Sequence, residues 1–151
     1  MSENQSNENR TTPFGLWRYG DDFRKAAIAV ASTNPHRMFM PYYFLVGQSI
    51  ELSLKAFLLT RGLSLKELKG DFGHDLKALL QRAQKNELRR EVRLDTGEKG
   101  AIDLLGYEYL ARRFQYIKTG TVMLPESDLT QSAADKLSNG LEECCRQATT
   151  F

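Results

Sequence analysis

The stretch MFMPYYFLVGQSIELSLKAFLLTR, residues 38 to 61, decides the fold. Its apolar residues recur at helical spacing along two sides of one helix. One side carries Phe39, Tyr43, Val46, Ile50, Leu54 and Phe57, and the other carries Tyr42, Leu45, Leu52, Ala56 and Leu59. A helix that is apolar on two sides lies at the centre of a bundle or at an interface between chains. We therefore expect the rest of the fold to be arranged around this helix.

Four further segments have helical spacing and few residues that favour strands. They predict helices over about 14–33, 75–93, 101–117 and 128–147, and the connection 64–73 is expected to contain a short helical turn. No segment alternates between apolar and polar residues with the period of a strand. The pattern predicts an all-α, up-and-down bundle of four to five helices.

The length of 151 residues suits one domain with one core. Residues 1–12 are rich in Ser, Glu, Asn and Gln without apolar periodicity, so we expect a disordered tail followed by a single domain over residues 13–151. The 21 basic and 19 acidic residues leave a net charge of +2. This balance excludes a global excess of positive charge, so any surface that binds nucleic acid must be local.

The cysteine pattern and the apolar runs indicate a cellular compartment. Cys144 and Cys145 are adjacent, which excludes a disulfide framework and a four-cysteine zinc site. The sequence contains no run of eighteen apolar residues and begins without the apolar region of a secretory signal. We expect a cytoplasmic protein with no membrane contact, no metal and no cofactor.

Two stretches of the sequence resemble the HEPN domains of bacteria and archaea. The first is VGQSIELSLKAFLLTRGLSLKELKGDFGHDLKALLQRA, residues 46 to 83, with Ser-Ile-Glu-Leu, Leu-Lys-Ala and then Gly-His-Asp-Leu at the start of a helix. The second is YLARRF, residues 109 to 114, where Phe114 replaces a usual tyrosine. The resemblance covers about residues 38–116. It implies a HEPN-like helical bundle of the nucleotidyltransferase-associated type, often a homodimer, in a toxin-antitoxin or phage-defence context.

The resemblance also bears on catalysis, because some HEPN proteins are metal-independent RNases. Those members carry an Arg and a His separated by four to six residues, and neither His36 nor His74 has such an Arg; Lys69 stands five residues before His74. We therefore expect a binding module for RNA or a nucleotide, or a partner of a nucleotidyltransferase, and no enzyme. One alternative is an RNase in which His74 is the general acid/base and Lys69 or Arg113 stabilises phosphate charge. Another is a purely structural dimerisation domain.

Glu51 and Lys55 lie four residues apart, in the favourable order for an ion pair on a helix. Together with Gln48 they form the polar stripe of the second predicted helix. The simpler interpretation is a solvated stripe whose ion pair is worth about 0.3 to 0.5 kcal/mol. The functional interpretation is that the stripe faces the third and fourth predicted helices, where Glu51 orients a basic site and Lys55 contacts a phosphate.

His74 and Asp75 stand at the predicted start of the third helix. Asp75 complements the positive end of the helix dipole. His74 either packs or caps there, or its side chain and the backbone N–H groups of the first turn converge on an anion. Arg113 falls on the apolar line of the fourth predicted helix, so it needs a partner. Pairing with a carboxylate such as Glu51 or Asp75 is the ordinary interpretation, and Arg113 is also the best phosphate-binding Arg.

The His74-Asp75 doublet also occurs in HD phosphohydrolases, whose metal site needs His, His-Asp and Asp. His36 and Asp103 could complete such a set here. We reject this interpretation, because in that family the doublet ends an apolar helix, whereas here it opens one after a glycine-rich turn. Two histidines are also a bare minimum for such a site.

Basic residues recur at steps of three and four residues along the third predicted helix. They are Arg82, Lys85, Arg89 and Arg93. A solvated helix face is the ordinary explanation. The functional one is contact with an RNA backbone that depends on salt and not on base sequence, since no aromatic residues are interleaved to stack bases.

Overall fold

The computed structural model describes residues 10–33, 40–110 and 123–149. Within these ranges the regular structure is helical and contains no strand. Five long helices follow one another: α1 (Pro13–Thr33), α2 (Met40–Thr60), α3 (Leu76–Lys85), α4 (Thr96–Leu110) and α5 (Ser127–Ala148). The prediction of an all-α bundle is confirmed.

Helix α2 is the central element of the bundle. Twelve of its 21 residues are buried, and it packs against α1, α3, α4 and α5. Ile50, Leu54 and Phe57 are fully buried in the shared core. Most of the apolar surface of α2 is therefore packed against helices of the same chain, and Leu45, Leu52 and Leu59 are partly buried. A homodimer through this helix stays a prediction.

Polar contacts near the middle of α1 join it to α5. The Trp17 indole Nε1 donates to the backbone carbonyl of Ser138 at 2.8 Å. Asp21 is buried and accepts a hydrogen bond from the Ser138 hydroxyl. Arg24 binds Asp21 at 2.9 Å and Asp135 of α5 at 3.0 Å. These bonds fix how α1 and α5 lie against each other.

The connection between α2 and α3 contains the expected helical turn. Ser64 and Glu67 form a reciprocal capping box at the helix Leu65–Glu67. A π-helical turn over Leu68–Phe72 follows, and Leu68 anchors it in the core. Gly73 then adopts a φ of 53°, which an L side chain rarely adopts. This turn delivers His74 to the start of α3.

Helix α3 ends eight residues earlier than the sequence pattern predicts. The chain leaves the helix after Lys85, because Asn86 is the C-cap and Glu87 takes a left-handed φ of 65°. A 3₁₀ turn over Leu88–Arg90 follows. The prediction of one basic stripe along the helix is therefore wrong beyond Lys85, since Arg89 and Arg93 lie on the connection to α4.

Helix α4 begins earlier than predicted, at Thr96. Asp95 Oδ1 accepts the Glu98 N–H at 2.7 Å, and Glu98 Oε1 accepts the Asp95 N–H at 2.8 Å. This reciprocal pair starts the helix within residues 94–100, where two glycines predict a loop. The predicted continuation to residue 117 lies beyond the described residues after Leu110.

Candidate functional site

Glu51 is a buried carboxylate in the middle of α2, with 4% of its surface exposed. Its Oε1 accepts hydrogen bonds from His74 Nδ1 at 2.8 Å and from the Tyr109 hydroxyl at 3.0 Å. Its Oε2 binds Lys55 Nζ at 3.1 Å. The solvated-stripe interpretation is therefore wrong for Glu51. The stripe faces the start of α3 and helix α4, as the functional interpretation expects.

Tyr109 of α4 closes the inner side of this group. Gln48 Nε2 donates to its hydroxyl oxygen at 2.6 Å, and the hydroxyl donates onward to Glu51. Burial raises the pKa of Tyr109, and the charge and hydrogen bond of Glu51 raise it further. Tyr109 is therefore a neutral donor at physiological pH. We call Gln48, Glu51, Lys55, His74 and Tyr109 the Glu51 cluster.

Gly47 lets α4 approach α2 closely enough for this contact. A Cβ atom at position 47 would lie 2.7 Å from Cδ2 of the Tyr109 ring. Real Cβ atoms do not approach a ring carbon so closely. The absence of a side chain at Gly47 therefore sets the position from which the Tyr109 hydroxyl reaches Glu51.

His74 is the outer edge of the Glu51 cluster, and 53% of its side chain is exposed. A carboxylate can only accept a hydrogen bond, so the 2.8 Å contact with Glu51 places a proton on Nδ1. In the neutral imidazole Nε2 is then the acceptor, and in the charged form it is a second donor. The Tyr109 ring supports the imidazole edge-on, with ring centroids 6.3 Å apart. The buried carboxylate thus orients the exposed imidazole.

Asp75 has a different role from the rest of the site. It is the N-cap of α3, and its Oδ1 accepts the Ala78 N–H at 3.0 Å. A carboxylate therefore occupies the position that an anion would take at this helix end. The interpretation in which the first-turn N–H groups converge on an anion with His74 is wrong for the Ala78 N–H.

Lys55 is largely buried, with 12% of its side chain exposed. Its charge and that of Glu51 cancel, so the Glu51 cluster is neutral overall while the imidazole is neutral. The part of the cluster that a ligand reaches first is therefore the exposed His74 imidazole.

Several predicted residues lie away from this cluster. Lys69 is exposed on the π-helical turn, and among the described residues no hydrogen bond or ion pair holds its side chain at the site. Asp103 is exposed on α4. Arg113 and His36 lie outside the described residues. Within the described ranges, no group of three or more His, Cys, Asp or Glu side chains could hold a metal ion.

Tyr109 and its contact with Glu51 were missed by the sequence reasoning. Tyr109 falls on the apolar line of its helix and reads as a core residue. A buried tyrosine hydroxyl needs a hydrogen-bond partner. This requirement could have predicted the contact, because Glu51 is the carboxylate of the polar stripe on α2.

Comparison of the chain with family models, with curated proteins and with solved structures finds no match. The HEPN resemblance therefore stays a prediction based on the motifs within residues 46–83 and 109–114. In the part of the chain that the structure describes, no helix is long and apolar enough to cross a membrane.

Proposed function

We propose that this chain is a HEPN-like binding module that holds a phosphate group of RNA or of a nucleotide at the Glu51 cluster. Lys55 and His74 are the groups that contact the phosphate. One observation carries the proposal: a single buried carboxylate binds Lys55 Nζ through one oxygen and His74 Nδ1 through the other. The two side chains are thereby held in place before a ligand arrives.

This arrangement suits an anion for two physical reasons. Long side chains lose rotamer freedom when they bind, and here Glu51 has already restricted Lys55 and His74. The exposed imidazole also offers Nε2 to a ligand while Glu51 holds Nδ1. We therefore expect phosphate binding to depend on both Lys55 and His74.

The test is a gel-retardation assay with a mixed fluorescent RNA pool in EDTA, read for bound RNA and for cleavage together. We expect intact, retarded RNA with the natural protein and weaker retardation with His74→Ala and with Lys55→Gln. Lys66→Gln is the matched control, since Lys66 is an exposed lysine on the short turn before α3. Equal retardation by all four proteins would contradict the proposal.

A metal-independent RNase is the second candidate, and the orientation of His74 is the observation that favours it. With Nδ1 bound to Glu51, the exposed imidazole can present Nε2 to a reacting hydroxyl or leaving group. Cleavage in EDTA that disappears in His74→Ala would make the chain an RNase. RNA that is neither retarded nor cleaved would favour a structural role for the Glu51 cluster.

The partners implied by the HEPN resemblance belong to the same proposal. They are a second copy of the chain and a nucleotidyltransferase, in a toxin-antitoxin or phage-defence setting. Their support is the motif match alone, and the position of α2 inside the bundle adds nothing to it.

A further inference from the structure

The connection between α3 and α4 forms a concave basic surface. Arg89, Arg93 and Lys99 are exposed around it, and Leu88, Val92 and Leu94 form its buried floor. We call Arg89, Arg93 and Lys99 the connector cations. The sequence predicts Arg89 and Arg93 on a basic helix face, whereas the structure places both residues on a curved connection around a hollow.

Buried apolar residues hold this connection in one shape. The N–H groups of Glu91 and Val92 both bond to the Leu88 carbonyl at 2.9 Å. Val92 packs on Gly140 of α5, where a Cβ would lie 2.5 Å from Val92 Cγ2. Because Val92 and Leu94 point inward, Arg93 between them points to solvent. The connector cations therefore stand on a fixed backbone.

The acidic side chains of the connection are already engaged. Glu87 pairs with Arg90, and Glu91 pairs with Arg61 at 3.7 Å. Asp95 accepts the Glu98 N–H at the start of α4. In contrast, within the described ranges no carboxylate lies at ion-pair distance from the connector cations. As far as the described residues show, the hollow thus presents unpaired positive charge.

The exposed side of α3 links this hollow with the Glu51 cluster. Lys77, Gln81 and Lys85 recur at steps of four residues, and all three are exposed. The ten residues of α3 include no acidic side chain and span about 15 Å. His74 precedes this helix and the connector cations follow it. A single nucleotide is too short to contact both ends.

We propose that the ligand is a single strand of RNA that lies along α3, with one phosphate at Lys55 and His74 and further phosphates at the connector cations. This inference rests on the proposed function and narrows its ligand from a nucleotide to a polynucleotide. No aromatic side chain lines the hollow, so the contact is with the backbone and tolerates any base sequence.

The test compares a dinucleotide with a strand of about twelve nucleotides, a length typical of single-strand sites. Both are 2′-O-methylated, which blocks the hydroxyl that a metal-independent RNase uses. Binding is measured by fluorescence anisotropy over a salt series for the natural chain and for the double variant Arg89→Ala, Arg93→Ala. The control is Arg18→Ala, Lys66→Ala, which removes two exposed charges from other elements.

We expect the double variant to bind the long strand several-fold more weakly. Its plot of log affinity against log salt should be less steep by about 1.4, which corresponds to two lost phosphate contacts on a single strand. Dinucleotide binding should not change, and the control should match the natural chain with both ligands.

Unchanged binding of the long strand by the double variant, with dinucleotide binding intact, would overturn this inference alone. If the natural chain binds neither the dinucleotide nor the long strand, the proposed function is overturned as well. If the double variant binds RNA normally but loses self-association in sedimentation, the connector cations contact a second copy, and the inference is also overturned.

Discussion

Asp21 and Glu51 are two buried carboxylates on neighbouring helices that bind their partners in different ways. Each pairs with a basic side chain one turn later on its own helix: Asp21 with Arg24 at 2.9 Å and Glu51 with Lys55 at 3.1 Å. Each also binds groups on other helices. The two sites therefore share the same local chemistry and differ in what lies beyond it.

The Asp21 network joins two long helices, whereas the Glu51 cluster holds an imidazole at the start of α3. Asp21 accepts from Ser138, and Arg24 continues to Asp135, so α1 and α5 are joined. Glu51 instead holds His74, whose side chain is 53% exposed. Lys25, which is 65% exposed, also binds Asp21 at 3.2 Å, but its ammonium can only donate hydrogen bonds, whereas the His74 imidazole can donate and accept them. We therefore expect both carboxylates to stabilise the fold and Glu51 to take part in the function.

The largest expected effect is the loss of stability when either carboxylate is removed. Glu51→Ala leaves Lys55 and the Tyr109 hydroxyl without their buried partner, which should lower the free energy of unfolding by about 3 kcal/mol. Asp21→Ala should have an effect of similar size. Urea unfolding followed by the fluorescence of Trp17, the single tryptophan, measures both. Asp22→Ala, an exposed neighbour on α1, is the control and should change little. An unchanged free energy of unfolding in Glu51→Ala would show that the cluster does not stabilise the fold.

A second substitution separates the geometry of the Glu51 cluster from its charge. Gly47→Ala should lower the free energy of unfolding by about 2 kcal/mol, because the new methyl group would lie 2.7 Å from the Tyr109 ring. Gly100→Ala on α4 is the matched control, since nothing lies within 4 Å of its added Cβ. It should be neutral or stabilising by up to about 1 kcal/mol. Equal unfolding midpoints for the two variants would contradict the close approach of α4 to α2.

The sequence was sufficient to predict the helices whose apolar pattern runs unbroken. Helix α2 and helix α5 begin and end within two residues of their expected bounds. The end of α3 could not be predicted in this way. The basic spacing continues past Lys85 as if the helix did, while the left-handed Glu87 turns the chain. A non-glycine residue adopts that conformation because the surrounding contacts fix it, and such contacts are not written in a local pattern.

The Asp21 carboxylate should also make stability depend on pH. Burial alone would raise the pKa of Asp21, but hydrogen bonds from Ser138, Arg24 and Lys25 outweigh it and lower the pKa below its ordinary value of 3.8. A lowered pKa adds stability above pH 3.8 that is lost as the pH falls through the folded-state value. The natural chain should therefore lose more stability on acidification than Asp21→Asn does. Urea unfolding at neutral pH and near pH 3 checks this. Equal losses of stability in the natural chain and in Asp21→Asn would contradict the role given to Asp21.

A smaller effect is expected for Tyr109→Phe. The change removes one hydrogen bond to Glu51 and one acceptor for Gln48 but keeps the ring in place, so it should cost about 1 kcal/mol. Tyr107→Phe, an exposed tyrosine of α4, is the control and should be neutral. Equal unfolding free energies of the two variants would show that the Tyr109 hydroxyl contributes no stability.

Four of the five residues of the Glu51 cluster were identified from the sequence, and Tyr109 was not. The four-residue spacing of Glu51 and Lys55 predicts their ion pair, and the Gly-His-Asp-Leu motif places His74 at a helix start. That the pair is buried depends on how α3 and α4 cover α2, which the spacing along one helix does not encode. Tyr109 stands at an apolar position of its helix, but its hydroxyl donates a hydrogen bond to Glu51. Only the packed structure shows this polar contact.

The central claim is that Glu51 orients His74 and Lys55 to hold a phosphate of RNA. The most direct measurement is the ¹⁵N resonance of the His74 imidazole in the full chain during titration with a 2′-O-methylated RNA strand. The chain has two histidines, so His74→Ala assigns the signal. The account predicts a saturable shift of Nε2 that weakens in Lys55→Gln and is unchanged in Lys66→Gln. A His74 signal that does not move, or that moves equally in Lys55→Gln, would contradict it.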